Sequence, residues 1–222
     1  MKGLLIKDIR LMKSQGVLLL AILILAALFL GVVSSDVEPF FVVAYITIFL
    51  SIFVASTISY DEYDNGYLFL MTLPTTRKKY INEKYIFGIL ISIFAWCVGM
   101  AAGTALMIAQ GAKTGAGEWI GANLIYICIA WVFMSIMMPL RFKFDSEKAR
   151  YANIIMFALI AAVAYGISRL SQYAPENILR NVSGFFNSLG NNGILALCAV
   201  AAAAALLISY ICSQRIMAKK EF

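Results

Sequence analysis

The chain has 222 residues, of which 62% are hydrophobic and only 14% charged, with a net charge of +6 and no histidine; its mean hydropathy is +0.86. Soluble domains carry roughly a quarter of their residues as Asp, Glu, Lys or Arg, so this composition excludes an ordinary water-soluble domain and makes the bilayer the solvent. The lack of histidine argues against zinc-dependent intramembrane proteolysis and histidine proton relays, and Cys97, Cys128, Cys198 and Cys212 all fall in apolar runs, where a reduced thiol behaves as a small hydrophobe rather than as part of a disulfide framework.

In chain order, residues 1–15 come first. Leu5, Ile9 and Met12 share one helical face, with Lys7, Arg10 and Lys13 around the other, while Ile6 and Asp8 blur the pattern. The expectation is an amphipathic helix lying in the membrane interface. Crossing a hydrocarbon core of about 30 Å takes about 20 helical residues, and uncharged runs of that order occupy 17–35, 39–60, 85–108, 119–140, 151–168 and 193–212. Continuous runs, not short alternating ones, favour helices over a barrel, so the expected fold is an all-α membrane protein with six transmembrane helices in a single domain, 1–222. The first run is followed almost at once by a second and is too long for a signal-peptide core, so it reads as a retained span.

Orientation follows from the basic residues. Fifteen of the 18 Lys and Arg lie in the N-terminal segment, the 61–84 loop, the 141–150 loop and the C-terminal segment; only Lys113, Arg169 and Arg180 fall on the other side. The four basic segments, and with them both termini, are therefore expected in the cytoplasm. The same distribution accounts for the positive net charge as a topology signal and gives no support to nucleic-acid binding. The 171–192 connection is then extracellular, long and polar, with Ile178, Leu179, Val182, Phe185, Phe186 and Leu189 spaced for a short interfacial or re-entrant helix pair.

Chemistry is scarce. No expected span holds Asp, Glu, Lys or Arg in its interior, which disfavours a transporter driven by proton or sodium gradients. Gly111-Ala-Lys113-Thr114 lacks the glycine before the lysine that a phosphate loop needs and falls on the outer side, so no ATP site is read. A Gly-x-Ser-x-Gly elbow and a histidine base are both missing, and no catalytic, metal or cofactor residue is assigned. Gly99-x-x-x-Gly103 marks a close helix contact, more readily within one six-helix chain than between two.

The informative stretch is 61–84. Acidic residues open it, Leu68, Phe69, Leu70, Met71 and Leu73 form an apolar centre, Pro74 breaks the chain, and Thr75 or Thr76 can cap a new helix beginning with Arg77, Lys78 and Lys79. A short apolar element presented to the cytoplasm suits docking on a partner or on the membrane surface. The order Asp61-Glu62, Gly66, Leu70, Leu73-Pro74, Thr76-Arg77, Ile81, Lys84-Tyr85 resembles the signature of ABC-2 type permease subunits, close to the branch exporting phenol-soluble modulins and related peptides. The opening Leu4-Ile6-Lys7-Asp8-Arg10 is similar to the basic start of that branch, so the likeness spans essentially the whole chain.

That resemblance implies a bacterial plasma-membrane permease, not itself an enzyme, that pairs with a second permease copy or paralogue and with separate ATP-binding-cassette subunits holding ATP and magnesium. It further implies the ABC-2 type exporter fold, with an N-terminal interfacial helix carrying Leu5, Lys7, Ile9 and Arg10 and a cytoplasmic coupling helix after the second span, its ATPase-coupling element near 61–80 drawing on Asp61, Glu62, Leu73, Pro74, Thr76 and Arg77. The cargo expected from the apolar and Met-rich helices is an amphipathic peptide or a lipid-like molecule moved outward, and no substrate-binding residue is assigned. A membrane scaffold or sensor without transport is the alternative.

Overall fold

The computed structural model describes residues 2–14, 16, 38–62, 66, 72, 76–111, 115–144 and 176–219, with scattered positions between 151 and 169. Its helices are α1 (Lys2–Ser14), α2 (Pro39–Glu62), α3 (Arg77–Ala109), α4 (Ala116–Asn123), α5 (Ile125–Lys143) and α6 (Glu176–Lys219). Of the expected spans, 17–35 lies outside the described residues and 151–168 is described only at isolated positions. Four stretches among the described residues are long and apolar enough to cross a bilayer: Pro39–Glu62, Arg77–Ala109, Ala116–Lys143 and Asn192–Lys219.

These helices form because their apolar runs have no water to compete for backbone groups once in lipid, where intrahelical bonding is the cheapest way to satisfy every N–H and C=O. Their side chains are apolar all round, so the sequence alone cannot say which face packs and which meets lipid. Packing decides it. On α3, Phe87 and Ala95 are buried while Leu90, Ile93 and Phe94 are exposed; on α6, Ala202 and Leu206 turn inward while Val200, Leu207 and Ile208 face outward.

Thr76 starts α3, its hydroxyl accepting the Lys79 backbone N–H at 3.3 Å. The helix has 33 residues and is about 50 Å long, well beyond the thickness of the hydrocarbon core. Its apolar part is 85–108, so residues 77–84 project past the membrane-spanning stretch. α4 and α5 together fill the place expected for the fourth span, with a break at Leu124. α6 begins within the expected 171–192 connection: residues from Glu176 are already helical, and the chain turns at Gly190, whose φ of 61° favours glycine, before the spanning part begins.

The close contact at Gly99 and Gly103 lies within the chain. A Cβ at Gly99 would stand 3.1 Å from the Val43 carbonyl oxygen, and one at Gly103 would stand 2.6 Å from Val43 Cγ2 and 3.2 Å from the Pro39 carbonyl. The missing side chains let α3 approach the first turns of α2. At the opposite end of the bundle, the largest buried cluster joins five helices: Leu4 of α1, Val54 and Ile58 of α2, Tyr80, Tyr85 and Phe87 of α3, Met134 and Phe142 of α5, and Leu206 and Met217 of α6. The core therefore centres on the start of α3.

Candidate functional site: a buried charge network at the start of α3

α1 docks on the bundle through Leu4 and Asp8, both buried, with Leu5 and Met12 partly covered. Ile9, which shares an apolar face with Leu5 in the sequence pattern, is half exposed, as is Ile6. The reason is Asp8: it lies on the same face as Leu4 and Met12, and its ion pair fixes the rotation of the helix. Arg10 is exposed and Lys7 half-buried.

Lys84 of α3 is fully buried, and its ammonium has three acceptors: Asp8 Oδ2 on α1, Asp61 Oδ2 on α2 at 2.7 Å, and Thr57 Oγ1 on α2 at 3.1 Å. An ammonium has three hydrogens to give, so this lysine is saturated. Asp61 also accepts from Lys7 and, through Oδ2, from the Tyr80 hydroxyl at 2.9 Å. Lys7 Nζ lies 3.3 Å from Asp8 Oδ1, completing a ring of two ammonium and two carboxylate groups drawn from three helices. Burial pushes the Asp61 carboxyl up, but Lys84 and Lys7 together outweigh it and hold Asp61 below the usual carboxylate range.

Glu83 adjoins this ring. It is 1% exposed, and among the described residues neither of its oxygens meets a hydrogen-bond donor. Burial raises its carboxyl to about 7, with Lys84 opposing the rise and the neighbouring Asp8 carboxylate adding to it. A proton on Glu83 keeps the network neutral, whereas an ionised Glu83 leaves it one negative charge in excess. Among the described residues Asp8 Oδ1 also lacks a hydrogen-bond donor, and a protonated Glu83 has a hydrogen to offer a neighbouring carboxylate.

The opposite side of the same two turns of α3 is fastened to α6. The Tyr85 hydroxyl meets Ser209 Oγ at 2.6 Å and Ser213 Oγ at 2.8 Å, and Tyr210 donates to Asn82 Oδ1 at 2.5 Å. Arg77 Nη1 donates to the Met217 and Ala218 carbonyls at 3.0 and 3.2 Å, supplying charge and donors to the C-terminal end of that helix. On α2, Ser59 accepts from Arg141 of α5 at 2.7 Å. With the Tyr80 ring edge-on to Phe142 of α5, centroids 6.2 Å apart, residues 76–85 touch α1, α2, α5 and α6.

Among the residues singled out in the sequence, the structure brings Lys7 and Asp61 together, ends α2 at Glu62, places Thr76 at the cap of α3 and ties Arg77 to α6. Leu73 and Pro74 lie outside the described residues, as do Leu68, Phe69, Leu70 and Met71 of the apolar centre. Sequence reasoning quoted Asp8 and Lys84 only as parts of the family pattern and missed Thr57, Tyr80 and Glu83. The available signal was Asp8 itself, an acid on the apolar side of an otherwise basic amphipathic helix.

A family model described as ABC-2 family transporter protein matches residues 3–218, almost the whole chain. The chain belongs to the ABC-2 transporter family. It is therefore a multi-pass membrane protein, the permease component of an ABC transporter, and the ATPase of such a transporter is a separate subunit with which this ABC-2 permease partners. No curated protein and no solved structure matches it. Within the permease, the buried network brackets the connection between α2 and α3, since Asp61 stands at its beginning and Tyr80 and Lys84 just beyond its end.

Proposed function

We propose that this permease exports amphipathic peptides or similar hydrophobic molecules, and that the segment from Asp61 to about Tyr80 is the element through which the ATPase drives it. The observation that carries this reading is the double anchoring of α3: the two turns after the connection are bonded to α1 and α2 on one side and to α6 on the other. A push on the connection is passed to several helices at once, because buried ion pairs and close-packed side chains have few intermediate arrangements. ATP binding acts only through a difference in affinity for two arrangements of the permease, so the docked ATPase must favour one position of α3 over another.

The excess of Lys and Arg at the end of the bundle carrying α1 supports a cytoplasmic location for both termini and for the 61–84 segment in a bacterial plasma membrane. A second copy of the chain, or a paralogue, completes the pathway in this reading, with two ATPase subunits holding ATP and magnesium. The resemblance to peptide-exporting permeases and the exposed apolar faces of α3 and α6 support an amphipathic cargo.

The test is co-purification of the permease with its ATPase in lipid nanodiscs, with hydrolysis measured as amphipathic peptide is added, for wild type and for a Glu62→Ala, Arg77→Ala double variant. The export reading expects a stable complex, peptide-stimulated hydrolysis in wild type, and loss of stimulation in a folded double variant. A complex whose hydrolysis ignores every amphipathic cargo would point to a scaffold or sensor instead.

A further inference from the structure

The start of α3 and the end of α6 enclose an open groove of about 530 Å³. Arg77, Lys78 and Arg215 stand around it, with Gln214 as a further donor, and Ile81 and Ile211 form its floor. Among the described residues lining it there is no acidic side chain. Arg77 already serves the last carbonyls of α6, which holds the two helix ends together and leaves Lys78 and Arg215, both exposed, as the cations facing the opening.

We propose that this groove binds the headgroup of an anionic phospholipid of the cytoplasmic leaflet, an assignment that rests on the orientation given under Proposed function. Lys78 and Arg215, one from each helix, can flank a single phosphodiester anion, and basic pockets between helices on the cytoplasmic side are suited to anionic headgroups. The floor separates a lipid from an acidic protein surface or a soluble phosphate. Ile211 continues along α6 into Leu207 and Ile208, 65% and 64% exposed, so a headgroup seated between Lys78 and Arg215 has an apolar track for its acyl chains. Bound there, the lipid bridges α3 to α6 at the level of the Arg77 contact and becomes part of the anchoring of α3.

The experiment uses the full chain reconstituted in vesicles of equal parts phosphatidylglycerol and phosphatidylcholine, then extracted in mild detergent and examined by native mass spectrometry for retained lipid. Wild type is expected to retain phosphatidylglycerol preferentially, with the preference falling about tenfold in Lys78→Gln, Arg215→Gln and persisting in Lys78→Arg, Arg215→Lys. A wild type without preference, or an uncharged double variant that retains it, overturns the proposal. Loss of ATPase co-purification in that variant with unchanged phosphatidylglycerol retention also overturns it, marking the groove as a protein contact. A photoactivatable phosphatidylglycerol provides a check on unmodified protein: cross-links in the peptides containing Ile81 or Ile211 support the site, and cross-links confined elsewhere refute it. Neither lipid retention nor cross-linking needs the ATPase or a cargo, so failure of those two measurements leaves the export reading standing.

Discussion

Lys84 of α3 is bonded to Asp8 of α1 with neither side chain reaching solvent, 76 positions apart in the sequence. Desolvating two charges costs several kcal/mol for each ion, and the pair is tolerable only because Thr57, Asp61 and Lys7 complete its coordination. Removing one partner should therefore hurt more than removing both. Asp8→Ala is expected to destabilise the permease by about 3–5 kcal/mol, whereas Asp8→Leu with Lys84→Met, which leaves the Lys7–Asp61 pair intact, should recover most of that loss. Thermal unfolding of single and double variants in nanodiscs measures this directly, and additive losses would mean the pair is not energetically coupled.

Glu83 makes stability depend on pH. Its carboxyl is raised in the fold to about 7 from an ordinary 4.5, so the folded state holds the proton more tightly than the unfolded one. The contribution is fully present below the ordinary value and is lost as pH rises through about 7. The groups facing Glu83 are Asp8 and Lys7 from α1 and its neighbour Lys84. Glu83→Gln, which stays neutral and can still donate to Asp8, should stabilise the protein by about 2–3 kcal/mol at pH 8 and change little at pH 4. Unfolding midpoints across that range decide the matter; parallel curves for wild type and variant would show that Glu83 is not the titrating group.

The glycines of α3 should differ in what they tolerate. At Gly99 an added Cβ meets the Val43 carbonyl oxygen and Cα, which are backbone and cannot step aside. Gly99→Val is expected to cost about 2–3 kcal/mol through separation of α2 from α3. At Gly88 the nearest atom is the terminal methyl of Met134, only 1.9 Å from the built position, yet a thioether side chain can swing away. Gly88→Ala should therefore stay within about 1 kcal/mol of wild type, helped by the better helix propensity of alanine. Equal losses at the two sites in a thermal assay would contradict this contrast.

Tyr85 joins α3 to α6 through one hydroxyl shared by Ser209 and Ser213. Tyr85→Phe keeps the ring against Tyr210 but leaves both serines without that partner, a loss of about 1–3 kcal/mol. If α3 carries motion from the connection to α6, the same change should also lower the peptide stimulation of ATP hydrolysis in the reconstituted complex. Loss of stability with full stimulation would confine the contact to a structural role.

Much of the site was visible in pieces. Asp61, Arg77 and Thr76 stand out in the sequence because a breaker, a cap and a change of charge surround them, and Lys7 because it lies on a basic helix. What linked Lys7 to Asp61, and Asp8 to Lys84, was not legible: periodicity reports one helix at a time and is silent on which distant face it will meet. Asp8 looked like a blemish on an amphipathic pattern and proved to be the residue that orients α1, and Ile9 turned outward as a result.

Composition and the spacing of apolar runs determined that this chain lives in a membrane and which segments carry the positive charge. Those properties follow from the solvent and from local sequence, since a run of about 20 uncharged residues has no cheaper state in lipid than a helix. Tertiary structure alone decided which faces of uniformly apolar helices pack, that Gly99 and Gly103 seat α3 on Val43, and that charges from α1, α2 and α3 are buried together. A buried charge is stable only with partners at hydrogen-bond distance, and those partners come from segments that share no neighbourhood in sequence.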